Sequence, residues 1–158
     1  MNPASAATVT VHEWLPHLEQ SASEVFDLML NCKLRKGTPQ AIPAPECTSM
    51  VGLAGSIRGL FTVRCGGATA NQLAATMLKL SPERAAHYAA DALGEIANMI
   101  AGNFKNKTDS AGGRSFLSLP TVVTGMAYTC RSLSTVAPLE LWFLFRGEPL
   151  QITMEVQI

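Results

Sequence analysis

The stretch 81–107, SPERAAHYAADALGEIANMIAGNFKNK, carries the strongest helix signal in the chain. Ser81 is a good N-cap because its hydroxyl can accept a hydrogen bond from a free N–H of the first turn. Pro82 follows at the first helical position, where its missing N–H costs nothing. Glu83 near the start and Lys107 at the end suit the two ends of the helix dipole. The pattern therefore predicts one helix over 81–107.

This helix has two different sides. Small and apolar residues recur at spacings of three and four, which predicts that their side faces the core. They are Ala85, Ala89, Ala92, Ile96 and Ile100, together with Met99 and Asn103. On the other side, Asp91, Glu95, Asn98 and Gly102 follow one another at steps of four, three and four. Such steps keep side chains on one face, so Glu95 and Asn98 are expected to point together away from the core.

Three small residues, Gly94, Ala101 and Gly102, lie beside this polar pair. An interior glycine costs about 0.5–1 kcal/mol relative to alanine, so two of them in a good helix need an explanation. One explanation is a low face on which the backbone of another molecule can lie. The other is close packing of the helix within its own fold, and spacing alone does not decide between them.

Composition narrows the class of protein. A length of 158 residues fits a single domain, 1–158, and 47% hydrophobic residues supply a sizeable core. No apolar run approaches the roughly 20 residues that span a bilayer. The net charge of zero also lacks the excess of basic residues that is typical of a nucleic-acid-binding protein. The first ten residues are small and polar, so we expect them to be poorly ordered, and they do not resemble a signal peptide.

The four cysteines form no C-x-x-C pair and lie beside none of the three histidines, so no metal site is expected. Reduced cysteines in a cytoplasmic protein are the default interpretation. The low charged fraction, 15%, is compatible with a self-association surface in addition to the core.

The rest of the chain reads as an α+β domain, in which about three α-helices pack on an antiparallel β-sheet. Helical spacing covers 12–32 and 68–80, and the glycine- and proline-containing stretch 34–46 is expected to be a loop with an extended edge segment. Strands are expected in three groups. They are a hairpin at 47–65, a strand at 115–129 bent at Pro120 and Gly125, and a hairpin at 138–158 turning near Gly147.

The pair Glu95 and Asn98 suits one kind of chemistry. No serine, cysteine or histidine accompanies them as a nucleophile. A carboxamide, however, both donates and accepts, so Asn98 could hold a water for attack on a phosphoryl group while donating to a phosphoryl oxygen. A carboxylate would be repelled there and should instead meet a cation, most simply a lysine. A partner would then have to bring the phosphoryl group, the metal and the lysine.

Residues 91–103, DALGEIANMIAGN, resemble the signature helix of CheX-type chemotaxis phosphatases, in the CheC/CheX/FliY family. The stretches 51–61, 68–80 and 117–125 (LSLPTVVTG) are similar to the family's first hairpin, its next helix and the segment after the signature helix. The resemblance implies a CheC/CheX-like fold. It also implies hydrolysis of the phosphoaspartate of a CheY-like response regulator.

In the family, the glutamate of E-x-x-N reaches the regulator's lysine and the asparagine positions the attacking water. These roles fall on Glu95 and Asn98, and the expected partner-binding residues are Asp91, Gly94, Ala101 and Gly102. The resemblance implies no cofactor of the chain's own, because the Mg²⁺ belongs to the regulator. It also implies a homodimer that pairs the sheets of two subunits, with neither a nucleic acid nor a membrane as partner.

CheC-type members carry a second E-x-x-N on the first helix, where this chain offers Glu24-Val25-Phe26-Asp27. An aspartate cannot donate to a phosphoryl group and would repel it, so one active motif per chain is expected. Two other interpretations remain open. The chain could be a non-catalytic module that binds a receiver or belongs to a flagellar-switch or signalling assembly. It could also be an unrelated α+β protein with Glu95 and Asn98 as ordinary surface residues.

Overall fold

The computed structural model describes residues 12–109 and 113–157, so the expectation for the first ten residues lies outside the described part. It shows helices packed on one antiparallel sheet, as predicted, and this sheet has seven strands. The strands are β1 Arg35–Lys36, β2 Glu46–Gly55, β3 Gly59–Gly66, β4 Ser115–Leu117, β5 Thr121–Gly125, β6 Leu139–Phe145 and β7 Glu148–Val156. The helices are α1 Leu15–Leu30, α2 Gly67–Leu78, the short α3 Pro82–Ala85 and α4 Ala89–Thr108, with a 3-10 turn at Ala86–Tyr88.

The sheet order is β1-β6-β7-β3-β2-β4, and β5 pairs with β2 beside β4. Both predicted hairpins are present, and the edge segment predicted within 34–46 is β1, which pairs with β6. The predicted strand at 115–129 is divided into β4 and β5 around Pro120, whose ring nitrogen has no N–H to donate. The long helices α1, α2 and α4 pack on the sheet face that carries alternate apolar side chains, such as Phe61 and Val63 on β3.

Two cysteines are part of this core. Cys47 and Cys65 are partners in the β2–β3 register, and both are buried. Burial raises the pKa of the Cys47 thiol to about 11. Burial also raises the pKa of the Cys65 thiol, and the neighbouring Cys47 adds to that increase. Both thiols therefore stay protonated at neutral pH and act as small apolar residues.

The helix predicted over 81–107 is not continuous. Ser81 does cap a helical turn, since its Oγ accepts from the N–H of Arg84 at 3.4 Å. That turn ends at Ala85, however, and the long helix begins only at Ala89. The break lets Ala85 pack, fully buried, against Ala74 of α2 and Ala92 of α4. Tertiary packing thus overrides a sequence that favours one straight helix.

Two acidic side chains of α1 are engaged in polar contacts. Glu24 accepts hydrogen bonds from Asn103 Nδ2 at 2.7 Å and from Lys107 Nζ at 3.2 Å. These donors, Asn103 foremost, hold the pKa of Glu24 below its ordinary value. Glu19 likewise pairs with Lys36 at 2.9 Å. The Glu24 contacts fix α1 against the C-terminal half of α4.

Candidate functional site

Helix α4 is held in place by its apolar side. Its fully buried side chains contact α1, α2 and the sheet and leave one rim of the helix in solvent. Those with no exposed surface are Leu93, Ile96, Ala97, Ile100, Ala101 and Phe104. The predicted core residues Ala92, Ile96 and Ile100 are confirmed, while Met99 and Asn103 lie half-buried at the edges of this side.

The solvent-facing rim carries the predicted pair. Glu95 is exposed and Asn98 is half-buried, one turn apart on the same helix. Within residues 12–109 and 113–157, neither side chain forms a hydrogen bond or an ion pair with another described residue. Asp91 is exposed one turn before Glu95, and Gly102 is half-buried one turn after Asn98. Among the described residues, nothing pairs with either side chain, and the helix that carries them is anchored by its buried side.

The two interior glycines pack within the fold. A Cβ on Gly94 would lie 3.4 Å from Cγ2 of Val122 and 3.5 Å from Cβ of Pro120. A Cβ on Gly102 would lie 3.6 Å from Cδ1 of Leu117. These distances are ordinary van der Waals contacts, so a Cβ would fit at either position without a clash. Both glycines face β4, β5 or the proline between them, so their neighbours are parts of the same fold.

The expectation that Gly94 and Ala101 lie on the open face is wrong. Gly94 is buried and Ala101 has no exposed surface. The physical reason is the helical turn of about 100° per residue, which places both residues on the flank that faces the sheet rather than beside Glu95. Asp91 and Gly102, by contrast, remain on the accessible rim.

The segment that packs against Gly94 is fixed at Ser118. Its backbone N–H donates to the carbonyl of Gly52 at 2.9 Å, and its Oγ accepts from the Gly52 N–H at 2.8 Å. Because Asn98 falls between Gly94 and Gly102 on one helical row, it lies next to this segment. Leu119, the next residue, is 87% exposed. The site therefore borders a segment that is hydrogen-bonded to Gly52 through Ser118 and that exposes the apolar side chain of Leu119.

A groove that the sequence analysis missed lies on the other side of Glu95. It has a volume of about 270 Å³ and is lined by Met77, Leu78, Tyr88, Asp91, Ala92 and Glu95. Leu78, the last residue of α2, is 47% exposed. A signal was available for Tyr88, because it precedes Asp91 by three residues and Glu95 by seven, which is one helical face.

The described part of the chain offers no second copy of the site and no evident metal ligands. On α1, Glu24 accepts a hydrogen bond from Asn103 of α4, and Asp27 is exposed. Among residues 12–109 and 113–157, no three His, Cys, Asp or Glu side chains are grouped so as to hold a metal ion. In the same described residues, every helix is too short or too polar to span a bilayer.

Comparisons with known proteins identify a family and a shared fold. Residues 47–144 match the family model described as chemotaxis phosphatase CheX. A chain of the CheX–CheY–BeF3–Mg²⁺ complex from Borrelia burgdorferi is similar, with a TM-score of 0.76, 23% identity and coverage of 92% of this chain and 98% of that one. The chemotaxis protein CheX from Vibrio vulnificus gives a TM-score of 0.77, 21% identity and coverage of 92% and 97%.

A more distant likeness is to FliY from Thermotoga maritima, with a TM-score of 0.64, 15% identity and coverage of 96% of this chain and 90% of that one. No protein with a curated description matches this sequence significantly. The family match covers more than half of the chain and includes α4 with the whole Asp91–Asn103 block. This chain belongs to the CheX family of chemotaxis phosphatases.

Proposed function

We propose that this protein hydrolyses the aspartyl phosphate of a CheY-like receiver domain. The observation that carries the proposal is the position of Glu95 and Asn98, which have no partner among the described residues, on the open rim of a helix whose opposite side is fully buried. Incubation with a phosphorylated receiver and Mg²⁺ tests it, and phosphate release faster than from the receiver alone is expected. A receiver as substrate also implies a cytoplasmic location.

In the proposed reaction, Asn98 enters the receiver's site and its carboxamide holds a water in line with the phosphorus. The water oxygen forms a bond to phosphorus as the bond from phosphorus to the aspartyl oxygen breaks. The aspartate leaves as a carboxylate, and the two protons of the water end on the released phosphate and in solvent. Positioning and charge stabilisation supply most of the catalysis in phosphoryl transfer, so a carboxamide is a sufficient contribution.

The remaining charged groups belong to the receiver. Mg²⁺ bound to the receiver offsets the negative charge of the phosphoryl oxygens, and this chain adds no cofactor of its own. The Borrelia burgdorferi structure is a complex of CheX with CheY, BeF3 and Mg²⁺, which supports this class of partner. Glu95 is close enough to Asn98 to pair with a receiver lysine while the Asn98 amide contacts the phosphoryl group and the water.

We expect Glu95→Ala to weaken binding of the phosphorylated receiver by about tenfold or more, because a hydrogen bond to a charged group contributes about 1.5–3 kcal/mol. Titration calorimetry measures the dissociation constant. The matched control is Glu13→Ala, which removes an exposed glutamate before α1. Equal affinities for wild type and Glu95→Ala would refute the pairing with a lysine.

We further propose that the protein is a homodimer in which the sheets of two subunits pair. β1 covers β6 only opposite Phe143 and Leu144, so in the described part the outer edge of Leu139–Leu141 has no strand beside it. Unpaired strand edges are templates for another chain. Sedimentation velocity should give twice the mass of 16.8 kDa, and a monomer over the whole concentration range would contradict the proposal.

A further inference from the structure

The groove beside Glu95 is an apolar surface that the fold leaves open. Leu78 is 47% exposed and Tyr88 is 44% exposed, and together with Ala92 they line a volume of about 270 Å³. Each lies at the end of a helical element. Leu78 ends α2, where the N–H of Leu80 donates to the carbonyl of Ala75 at 3.1 Å. Tyr88 closes the 3-10 turn, and its ring stacks edge-on with His87 at 5.3 Å. An exposed apolar groove is typical of a binding surface.

The charges on the groove's rim define what would fill it. Asp91 and Glu95 are four residues apart on α4, both are exposed, and like charges at this spacing repel each other. Within the described residues, neither carboxylate has a cationic partner. A basic side chain from outside suits this surface, because its aliphatic stem can lie on apolar groups while its head meets a carboxylate. The Tyr88 ring adds a favourable face for a cation.

Asp91 is too far from the catalytic centre to share the cation proposed for Glu95. Seven residues separate Asp91 from Asn98, which is about 10 Å along a helix that rises 1.5 Å per residue. The lysine beside the phosphoryl group meets Glu95 near Asn98, so it does not reach the far end of the groove. A partner seated over Asn98 and Glu95 nevertheless covers the groove, because Glu95 lines both.

We propose that the groove docks a second basic side chain of the receiver, with its stem on Leu78 and Tyr88 and its cation at Asp91. This inference rests on the proposed function, since the receiver is the occupant. The contact lies away from the phosphoryl group, so it contributes to binding whether or not the receiver is phosphorylated. It separates recognition of the partner from the chemistry at Asn98.

The test is a set of dissociation constants for phosphorylated and unphosphorylated receiver. Leu78→Ser and Tyr88→Ala should each weaken binding of both forms by about tenfold, the effect of losing about 1.4 kcal/mol. Asp91→Asn should weaken binding and flatten its dependence on salt. In turnover assays the effect should fall on KM rather than on kcat. The controls are Leu133→Ser, 91% exposed beside the sheet face opposite the helices, and the exposed Asp27→Asn.

The outcomes separate this inference from the proposed function. If wild type binds the receiver and the groove variants bind as tightly as the controls, the docking site is refuted while the phosphatase proposal stands. If wild type binds without accelerating phosphate loss and the groove variants bind weakly, docking stands and catalysis is refuted. If wild type binds neither form of the receiver, both are refuted.

Discussion

Asn98→Ala is expected to remove the acceleration of receiver dephosphorylation, with a loss of about 100-fold to 1,000-fold, the usual effect of deleting one preorganised polar group at a reacting centre. The Asn98 amide is half-buried and has no hydrogen-bond partner within the described residues, so it is available to a water and a phosphoryl oxygen. Binding should persist, because Glu95 and the groove remain. The fold should persist too, since alanine is the better helix former.

The measurement is the single-turnover rate of phosphate release with the protein in excess over phosphorylated receiver. Asn106→Ala is the matched control, because Asn106 is an exposed asparagine two turns further along the same helix. Asn98→Asp keeps the size of the side chain and replaces the donor with a repelling carboxylate, so it should be at least as inactive. Full activity of Asn98→Ala would eliminate the water-positioning role.

Phe104→Ala is expected to cause the largest loss of stability, about 3–5 kcal/mol, as is usual for truncation of a buried phenylalanine. Phe104 has no exposed surface and meets the Trp14 ring edge-on at 6.1 Å. Its loss would open a cavity where α4 joins the core, just beyond the Asn103 contact with Glu24 on α1. Since a domain of this type is stable by only about 5–15 kcal/mol, the variant should be close to unfolding.

Chemical denaturation with a fixed m-value measures this change. Phe116→Ala is the control, because Phe116 is 62% exposed on β4 and its removal should leave the midpoint almost unchanged. Thermal unfolding should agree, at about 2–4 °C per kcal/mol for a domain of this size. Similar losses in the two variants would contradict the assignment of Phe104 to the core that anchors α4.

Patterns that depend on neighbours in the chain were predictable. The period of 3.6 residues places Glu95 and Asn98 on one rim of α4, and alternation in β7 correctly predicts Leu150, Ile152 and Met154 as buried. The hairpins follow from short apolar runs around turns. The pairing of both β4 and β5 with β2 joins residues far apart in sequence, and local patterns carry no information on it.

The features that sequence reasoning missed arise from contacts between distant segments. Gly94 is buried because Pro120 and Val122 arrive from a different part of the chain, and a glycine in a helix does not reveal which neighbour it accommodates. Likewise, the break before Ala89 depends on packing of Ala85 against α2, which also turns Tyr88 toward the groove. The partner's contribution to the site lies outside this sequence altogether.

Whether this protein is a receiver phosphatase is decided by the rate at which a phosphorylated CheY-like receiver loses phosphate in Mg²⁺, alone and with increasing amounts of this protein. We expect the rate to rise with protein concentration and to saturate as the receiver is bound. An unchanged rate at protein concentrations that bind all of the receiver would contradict this expectation and would identify the chain as a receiver-binding module without catalysis.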